Sequence, residues 1–338
     1  MKLYGGIDLH SNNCVLVILD DNGNKVLQKR LNNSIELILQ TLLPFQADLE
    51  GLVVESTFNW YWLVDDLMAV GYTLHLANTA AIQQYSGLKH ADDNSDAHWL
   101  AEMLRLQILP TGYIYPKQQR MARDLMRKRM QLVQQRTANL LAVQGLYSRH
   151  LCQRLSNNAI KKLSLVQVNE HFSDANVALA VNSNLAVMQC LAQQVLVIEK
   201  RLKQEQQLSP EFIRLTDIDG IGVTLGLTIM LETGEISRFK SAGDFASYCR
   251  CIGGARYSNG KKKSKTNSKN GNKFLAWAFV EAANFAIRYN TTVKRYYQKK
   301  LAKTNNTVAI KTVAHKLARA CFYVLRDQVD FDVHKAFG

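Results

Sequence analysis

The stretch LYGGIDLHSNNCVLVILDDNG, residues 3–23, decides how the chain begins to fold. Two apolar runs, residues 3–9 and 13–19, are typical of strands, and the Asp-Asp-Asn-Gly sequence at 20–23 is a turn signal. Asp8 places a carboxylate in the first strand, next to Gly5 and Gly6, which would allow another element to approach closely. An Asp at a sheet edge facing water is the ordinary explanation for such a residue. Its role therefore depends on whether other carboxylates converge on it.

Further apolar runs continue this pattern over residues 1 to about 113. Strands are predicted at 25–31, 51–55 and 73–77, and helices near 34–43, 59–70 and 95–107. Three strands with short connections, followed by alternating helices and strands, are typical of a ribonuclease H-like α/β domain. We therefore predict such a domain over residues 1–115, with the sequence TGYIYP at 111–116 breaking the chain.

The charge of the chain narrows the class of partner. Among 338 residues, 42 are Lys or Arg and 28 are Asp or Glu, which gives a net charge of +14. A basic protein of this size usually binds a polyanion, because each neutralised phosphate releases condensed counterions. The balance favours a nucleic acid as partner, although charge alone does not separate DNA from RNA or from an anionic membrane.

The cysteines and the hydropathy pattern indicate the compartment. Six cysteines are scattered without a Cys-x-x-Cys pair, which argues against a disulfide framework and structural zinc and fits a reducing cytoplasm. The close pair Cys249 and Cys251 is interpreted as small buried residues. No run of about twenty apolar residues occurs and no signal peptide fits the N-terminus, so we expect a cytoplasmic protein without a membrane span.

A helical linker is predicted over residues 116–208. Its apolar positions recur at spacings of three and four in two seams: Met126, Met130, Val133, Thr137, Leu140, Gln144, Tyr147 and Leu151, then Met188, Leu191, Val195, Ile198 and Leu202. A helical hairpin or dimerising coiled coil and ordinary packing onto the first domain are about equally compatible with these seams. The first helix also carries basic residues that we interpret as nucleic-acid contacts: Arg120, Arg123, Arg127, Lys128 and Arg129, with Arg136 further along.

Residues 209–338 are predicted to form a mostly helical domain. Gly220-Ile221-Gly222 looks like the turn of a helix-hairpin-helix element, whose backbone N–H groups can hold a phosphate, although a plain turn has the same pattern. No acidic residue occurs over residues 245–280. We interpret the polar tract within this segment as a phosphate-binding loop rather than a solvated tract. The basic residues of the segment are Arg250, Arg256, Lys261, Lys262, Lys263, Lys265, Lys269 and Lys273.

Three further carboxylates are candidates to meet Asp8. Glu55 ends an apolar strand, where a half-buried carboxylate needs a partner or a cation. Asp93 and Asp96 lie three residues apart at a helix start, hence on one face; capping explains one of them but not both. A ribonuclease H-like sheet would bring all four to one corner, where their repulsion requires cations. Oxygen-only ligands favour Mg²⁺ or Mn²⁺, and two such ions support phosphodiester chemistry.

Several motifs make the chain resemble one known family. These are GIDLH at 6–10, VVES at 53–56, DDNSDAHWLAEMLR at 92–105, IDGIGVTLG at 218–226, ISRFKSAGDFASYC at 236–249 and SKNGNKFLAWAFVEAA at 268–283. Together they resemble the DEDD transposases of the insertion-sequence 110 family, particularly the 1111 subgroup, which are related to the pilin-gene invertases. The resemblance covers nearly the whole sequence and implies a RuvC-like catalytic domain, a coiled-coil linker and a C-terminal transposase domain.

The resemblance also implies an unusual nucleophile, a serine in the C-terminal domain that joins covalently to DNA. Ser258 lies nearest the family position, although Asn259 separates it from Gly260 where the family serine directly precedes a glycine. Ser264 and Ser268 are competitors, and Ser268 also matches the serine of the family's SK-x-G motif. The implied partners are DNA at the element ends and target, a noncoding guide RNA (bridge RNA) encoded by the element, and further copies of the chain in a dimer or tetramer.

Two other functions remain open on the sequence. A metal-dependent, structure-selective DNA nuclease of the RuvC type would use water as the nucleophile, and the serine would be incidental. A nucleic-acid-binding protein without catalysis is the third possibility. The four carboxylates argue against it, because clustered negative charge does not favour phosphate binding.

Overall fold

The structure is a computed structural model of the 338-residue chain, and it describes residues 1–56, 58–82, 93–206, 209–253, 255–258, 261–265 and 270–338. Within these ranges the side chains of residues 80, 93–94, 206, 255–258 and 262–265 are outside the description. The chain divides into two compact units, Met1–Lys117 and Gln118–Gly338, and we describe each by itself. A further boundary near residue 208 stays a prediction.

A six-stranded mixed sheet forms the centre of the first unit. Its strands are β1 Leu3–Leu9, β2 Asn13–Leu19, β3 Lys25–Asn32, β4 Leu49–Glu55, β5 Leu74–Ala77 and β6 Thr111–Gly112. The spatial order is β3-β2-β1-β4-β5-β6. β1, β2 and β3 are antiparallel neighbours, whereas β4 runs parallel to β1 and to β5. The predicted α/β sheet is confirmed, but the TGYIYP sequence does not simply break the chain, because β6 begins there and pairs with β5.

Helices cover both faces of this sheet. The helices are α1 Ile35–Leu42, α2 Tyr61–Ala69 and α3 Asp93–Arg105, with 3-10 turns at Leu43–Phe45 and Thr79–Ala81. Ser34 caps α1 by accepting a hydrogen bond from the backbone N–H of Leu37. α1 and α2 pack on one face, where Ile7 of β1 and Leu63 of α2 are fully buried in the same core. α3 packs on the opposite face through small residues, including Ala97.

Two long helices and two short ones begin the second unit. They are α4 Lys117–Leu151, α5 Asn157–Ile160, α6 Leu165–His171 and α7 Ala175–Gln206. Leu140 and Tyr147 near the end of α4 pack with Met188 of α7, whereas Met126 near its start packs with Leu202 at the other end of α7. The two seams therefore face each other within one chain, as an antiparallel helical hairpin. Pairing of these helices between copies of the chain stays a prediction.

One helix is long and apolar enough to cross a membrane by length and composition alone. It spans Ala175–Glu205 within α7, and no other helix of the described residues meets these two criteria. A single helix of this kind is weak support for a membrane span, because core helices of other proteins have the same composition. Val181 and Leu185 of this helix are buried against α4, α5 and α6.

The remaining helices build a second core. They are α8 Pro210–Thr216, α9 Val223–Thr233, α10 Ala242–Tyr248, α11 Lys273–Tyr289, α12 Thr291–Leu301, α13 Asn306–Asp327 and α14 Val333–Phe337, with a 3-10 turn at Ile236–Arg238. Phe245, Phe279 and Phe322 are fully buried at its centre. Cys249 is buried there too, as predicted, whereas Cys251 is only partly buried and packs against this core. Burial raises the pKa of the Cys251 thiol to about 12, so the thiol stays protonated at neutral pH.

The basic tract is not simply a loop. β7 Ala255–Ser258 and β8 Lys261–Lys265 pair as an antiparallel hairpin, which we call the basic hairpin. The prediction of a loop failed because a strand of consecutive lysines lacks the alternation of apolar and polar residues that marks a half-buried strand. The Asn-Gly sequence at 259–260, a strong signal for a two-residue hairpin turn, was the available clue.

Candidate active site

The carboxylates of β1 and β4 lie on adjacent strands. Ile7 is the parallel partner of Val54, so Asp8 and Glu55, one residue further along each strand, are neighbours at the same end of the sheet. Asp8 lies in the middle of the antiparallel pairing with β2, opposite Val15, and is not at an edge of the sheet. Only 3% of its surface is exposed, which leaves little room for the simple solvent-facing role.

Gly6 explains how α3 reaches this corner. A Cβ atom at Gly6 would lie 2.1 Å from the carbonyl oxygen of Ala97 and 2.7 Å from the backbone nitrogen of Ala101. Helix α3 therefore lies directly on the backbone of β1. Asp8 is two residues beyond Gly6 and shares its face of the sheet. Asp96 precedes Ala97 in α3, so close packing brings the start of the helix to the carboxylates of the sheet.

Electrostatics show that three carboxylates share this corner. Burial raises the pKa of Glu55, and the negative charges of Asp8 and Asp96 raise it further, with partial compensation from His10. Carboxylates this close repel one another, and a cation between them would favour their charged forms. The structure therefore brings Asp8, Glu55 and Asp96 together, whereas the side chain of Asp93 lies outside the description although its backbone starts α3.

The donor set of this corner fits a hard divalent cation in its chemistry. Carboxylate oxygens at a negatively charged, partly buried position suit Mg²⁺ or Mn²⁺. Among the described residues, no three His, Cys, Asp or Glu side chains lie close enough to hold an ion by themselves. The side chains of Asp92 and Asp93 are not among the described residues.

His10 belongs to the corner although the sequence pattern did not single it out. Its Nε2 atom lies 3.3 Å from Oδ2 of Asp8. The backbone oxygen of His10 accepts hydrogen bonds from the side-chain amides of Asn33, at 3.0 Å, and Asn59, at 2.7 Å. The available signal was its spacing, since residues two apart in a strand share one face. His10 and the two asparagines thus fix the backbone next to Asp8.

The candidate nucleophiles lie on or beside the basic hairpin. Ser258 ends β7 and is paired with Lys261 of β8, at the turn end of the hairpin. Ser264 lies further from the turn and is paired with Arg256. Ser268 is outside the described residues. Of the three, Ser258 is therefore the one whose backbone is placed next to the turn.

Several arginines predicted to bind nucleic acid are bonded within the protein. Arg123 and Arg127 both pair with Glu232 of α9, and Nε of Arg129 lies 2.7 Å from Oε1 of Glu199 in α7. Arg120 is 2% exposed. The prediction interpreted these arginines as nucleic-acid contacts, because the spacing within one helix could not identify partners seventy or more residues away in sequence.

The other basic residues predicted to bind nucleic acid are either exposed or outside the described residues. Lys128, Lys261 and Lys273 are exposed. The side chains of Arg256, Lys262, Lys263 and Lys265 and the whole of Lys269 lie outside the described residues. Binding of nucleic acid by this group stays a prediction.

The Gly-Ile-Gly sequence forms a tight connection between α8 and α9. Gly220 has φ +94°, and a Cβ there would lie 2.4 Å from the carbonyl oxygen of Ala282 in α11. Gly222 precedes α9 as its N-cap, and a Cβ there would meet no atom within 4 Å. The first glycine is thus required by packing, whereas the second leaves the N-terminus of α9 open.

Comparisons with known proteins identify two parts of the chain. A family model for IS110 DEDD transposases, described as "Transposase", matches residues 5–151, which include the carboxylate corner and α4. A second model, described as "Transposase IS116/IS110/IS902 family", matches residues 213–298, which include the Gly-Ile-Gly connection and the basic hairpin.

Individual relatives are similar over different shares of the chain. A "Probable family 20 transposase" of Pseudomonas aeruginosa is 21% identical over 78% of this chain and 80% of its own length. The "Insertion element IS116 uncharacterized 44.8 kDa protein" of Streptomyces clavuligerus is 26% identical over 41% of this chain, a match that covers 37% of that relative. With two models of the same family matching its N-terminal and C-terminal parts, the chain belongs to the IS110 family of transposases.

Proposed function

We propose that this transposase cuts and joins DNA through a covalent bond between DNA and Ser258. The observation that carries the proposal is the shared electrostatic environment of Asp8, Glu55 and Asp96, in a chain whose matching family models both describe transposases. A protein that only binds nucleic acid gains nothing from three clustered carboxylates. Phosphodiester chemistry gives them a role.

The carboxylates would hold divalent cations, Mg²⁺ or Mn²⁺, with Asp93 as the fourth ligand. Bound there, such ions would neutralise charge on the phosphate and favour loss of a proton from an attacking hydroxyl. The near-complete burial of Asp8 restricts water around it, and His10 and the asparagine contacts keep its strand in place. The sheet order β3-β2-β1-β4-β5 supports a RuvC-like interpretation of this domain.

The serine would act as a nucleophile that preserves the energy of the broken bond. Its hydroxyl loses a proton, and the oxygen forms a bond to phosphorus while the bond to the leaving strand's oxygen breaks. Attack by a strand-terminal hydroxyl on this serine phosphodiester restores the serine and joins the new strands. The carboxylates and Ser258 belong to different units of the chain, so the active site would be assembled by docking, within one chain or between copies in a dimer or tetramer.

Nucleic-acid binding would use the exposed lysines and the open end of α9. Lys261 and Lys273 lie on and beside the basic hairpin, and both side chains are exposed, so phosphates can approach them. The open N-terminus of α9 after Gly222 offers backbone N–H groups to a phosphate, as in a helix-hairpin-helix element. Lys128 on α4 is available for a noncoding guide RNA, which would direct the choice of target and donor DNA.

A trapping assay tests the proposal. Full-length protein is incubated with Mg²⁺, copurifying RNA and labelled DNA spanning the junction of the element, and the products are separated on a denaturing gel. We expect a labelled band at the size of the protein that is absent in Ser258→Ala and in Asp8→Ala. Ser264→Ala is the matched control, because Ser264 lies on the same hairpin but away from its turn.

The products decide between the alternatives. Cleaved DNA without attached protein would identify a hydrolytic nuclease and overturn the covalent mechanism. An adduct that persists in Ser258→Ala but disappears in Ser264→Ala would move the nucleophile along the hairpin. Binding without turnover, made tighter by Asp8→Ala, would indicate a protein that has no catalytic function.

A further inference from the structure

Glu232 is a buried carboxylate that the proposed chemistry does not use. It lies on α9, is 1% exposed and accepts hydrogen bonds on both oxygens. Its Oε2 atom accepts from Nε of Arg123 at 2.9 Å, from Arg127 at 2.8 Å and from Nδ2 of Asn272 at 2.7 Å. Oε1 accepts from Nε of Arg127 at 2.5 Å. One carboxylate therefore joins helix α4, helix α9 and the start of α11.

This position requires an ionised carboxylate. Burial raises the pKa of Glu232, but hydrogen bonds from Arg127 and Asn272 and the charges of both arginines outweigh burial and hold the pKa below its usual value. A glutamine would place its NH₂ group against N–H donors whichever way its amide were turned. Replacing a buried ion pair by apolar residues is often neutral for stability, so the contacts that Glu232 makes are considered for a role in positioning.

Asn272 connects Glu232 to the basic hairpin. Its Oδ1 atom caps α11 by accepting from the backbone nitrogens of Phe274, at 2.8 Å, and Leu275, at 3.1 Å. Its own backbone N–H donates to the carbonyl oxygen of Tyr248 at 2.6 Å. Tyr248 ends α10 on one side of the hairpin, and Asn272 starts α11 on the other. The bond to Glu232 is thus made at the point where both sides of the hairpin meet.

Two further contacts join the two ends of the basic hairpin, which we call the hairpin base. The guanidinium group of Arg250 donates to the carbonyl oxygen of Gly271 at 2.7 and 3.0 Å. Gly271 has φ +89°, and a Cβ there would lie 2.5 Å from the carbonyl oxygen of Tyr248. The glycine of the SK-x-G motif is therefore explained by a close backbone approach. Arg127 also covers the ring of Phe274, with 4.5 Å from its guanidinium carbon to the ring centroid.

We propose that Glu232 is a positioning residue that fixes the base of the basic hairpin to helix α4 through Arg123, Arg127 and Asn272. The direction in which the hairpin leaves the helical core, and with it the placement of the serine, is then set by the long helix. α4 also forms the hairpin of long helices, so a nucleic acid or second copy that moves α4 would move the basic hairpin with it. The consequence for catalysis rests on the proposed function, whereas the mechanical link does not.

Substitutions at Asn272 separate this link from helix capping. Asn, Asp and Ser are about equally good N-caps, so Asn272→Ser and Asn272→Asp both keep α11 capped. Ser lacks the donor that reaches Glu232, and Asp adds a carboxylate where the Asn272 amide lies 2.7 Å from Glu232. If Glu232 positions the hairpin, the backbone at the hairpin base should be most protected in the wild-type protein, less in Asn272→Ser and least in Asn272→Asp. If Asn272 only caps α11, protection should be equal in all three proteins.

Hydrogen exchange of the full-length protein without DNA gives the first measurement. For Asn272→Asp we expect exchange at the hairpin base, residues 247–253 and 271–273, to be about tenfold faster or more, because a hydrogen bond to a charged group is replaced by repulsion. Asn272→Ser should show a smaller increase, and Glu232→Gln a large one. Glu199→Gln is the matched control, since it breaks an ion pair with α4 that does not touch the hairpin. Exchange at the wild-type rate in both Asn272 variants would overturn the proposal.

The trapping assay then supplies a readout that loss of fold cannot imitate. Asn272→Asp should form the covalent adduct more slowly at saturating DNA while its DNA affinity and melting temperature stay near those of Asn272→Ser. An equal loss of affinity and rate would indicate a general structural defect and contradict positioning. If the wild-type protein forms no adduct, the proposed function fails, but the exchange rates still decide whether Glu232 holds the hairpin.

Discussion

Gly6 of β1 lies against Ala97 of α3 so closely that a Cβ atom on the glycine would be 2.1 Å from the alanine's carbonyl oxygen. No side chain fits between these two backbones. The same contact brings Asp96 towards Asp8, because each carboxylate is one or two residues from the contact. The close approach that the glycines beside Asp8 suggest is therefore made, at Gly6, by a helix of the protein itself.

Gly6→Ala should displace α3 and impair the carboxylate corner. The clash is with backbone atoms, which cannot turn away, so we expect a loss of about 1–3 kcal/mol in the free energy of unfolding. The rate of DNA cleavage should fall by more than the fraction of unfolded protein explains, since Asp96 moves with the helix. Chemical denaturation and a cleavage assay measure the two effects.

Gly5→Ala is the control for this prediction. A Cβ at Gly5 would meet the end of the flexible Leu52 side chain on the opposite face of the sheet. It should therefore cost less stability and leave the relation between α3 and β1 intact. Equal loss of cleavage in both variants would show that the position of α3 does not determine activity.

Much of the first unit could be predicted because its signals are local. Strands β1 and β2 follow from short apolar runs ended by a turn, and the place of Asp8 beside Glu55 follows once β4 is parallel to β1. The role of Gly6 required only the idea that a glycine permits close approach. His10 was missed because a single histidine after a strand has many roles, and only its distance from Asp8 separates them.

The second unit was harder because its decisive contacts join distant parts of the chain. Glu232 lies 109 residues from Arg123 and 40 residues from Asn272. A Glu at the end of an apolar helix gives no sign of its partners, and the arginines of α4 resemble solvated charges. Spacing rules describe neighbours within one element, so they cannot find a cluster assembled from three helices.

The Glu232 cluster predicts a loss of stability in acid. The pKa of Glu232 is lowered in the folded protein. The contribution of Glu232 to the free energy of unfolding is therefore complete at neutral pH. It begins to be lost as the pH falls below about 4.3, the usual pKa of a glutamate. Glu232→Gln should be less stable by up to about 3 kcal/mol at neutral pH, because Arg123 and Arg127, which are only partly exposed, lose their charged partner. The difference from the wild-type protein should shrink in acid. Denaturant unfolding at two pH values measures this change.

Glu199→Gln again supplies the comparison. Glu199 is 35% exposed, so its pair with Arg129 should contribute no more than about 1 kcal/mol. A stability difference between Glu232→Gln and wild type that is the same at both pH values would contradict an ionised Glu232 in the folded state.

The basic residues should separate into two groups by their effect on salt dependence. Lys261 is exposed on the basic hairpin, so Lys261→Gln should reduce the slope of log affinity against log salt concentration by about 1 if the lysine contacts a phosphate of duplex DNA. Arg127→Gln should instead lower the melting temperature, because Arg127 pairs with buried Glu232. DNA binding measured at several salt concentrations, together with thermal unfolding, distinguishes the groups. An unchanged slope for Lys261→Gln would remove that lysine from the interface.

Gly220→Ala should mainly lower stability, whereas Gly222→Ala should mainly lower DNA affinity. Gly220→Ala places a methyl group 2.4 Å from a backbone oxygen at φ +94°, so we expect it to destabilise the second unit by more than about 1 kcal/mol. Gly222→Ala meets no atom within 4 Å and should cost about 1 kcal/mol or less as a poorer N-cap. Its methyl group would stand beside the open N–H groups of α9, so DNA affinity should fall while the fold is kept. Thermal unfolding and DNA binding of both variants test this division, and a Gly222→Ala protein with unchanged affinity would show that DNA does not approach α9 at this turn.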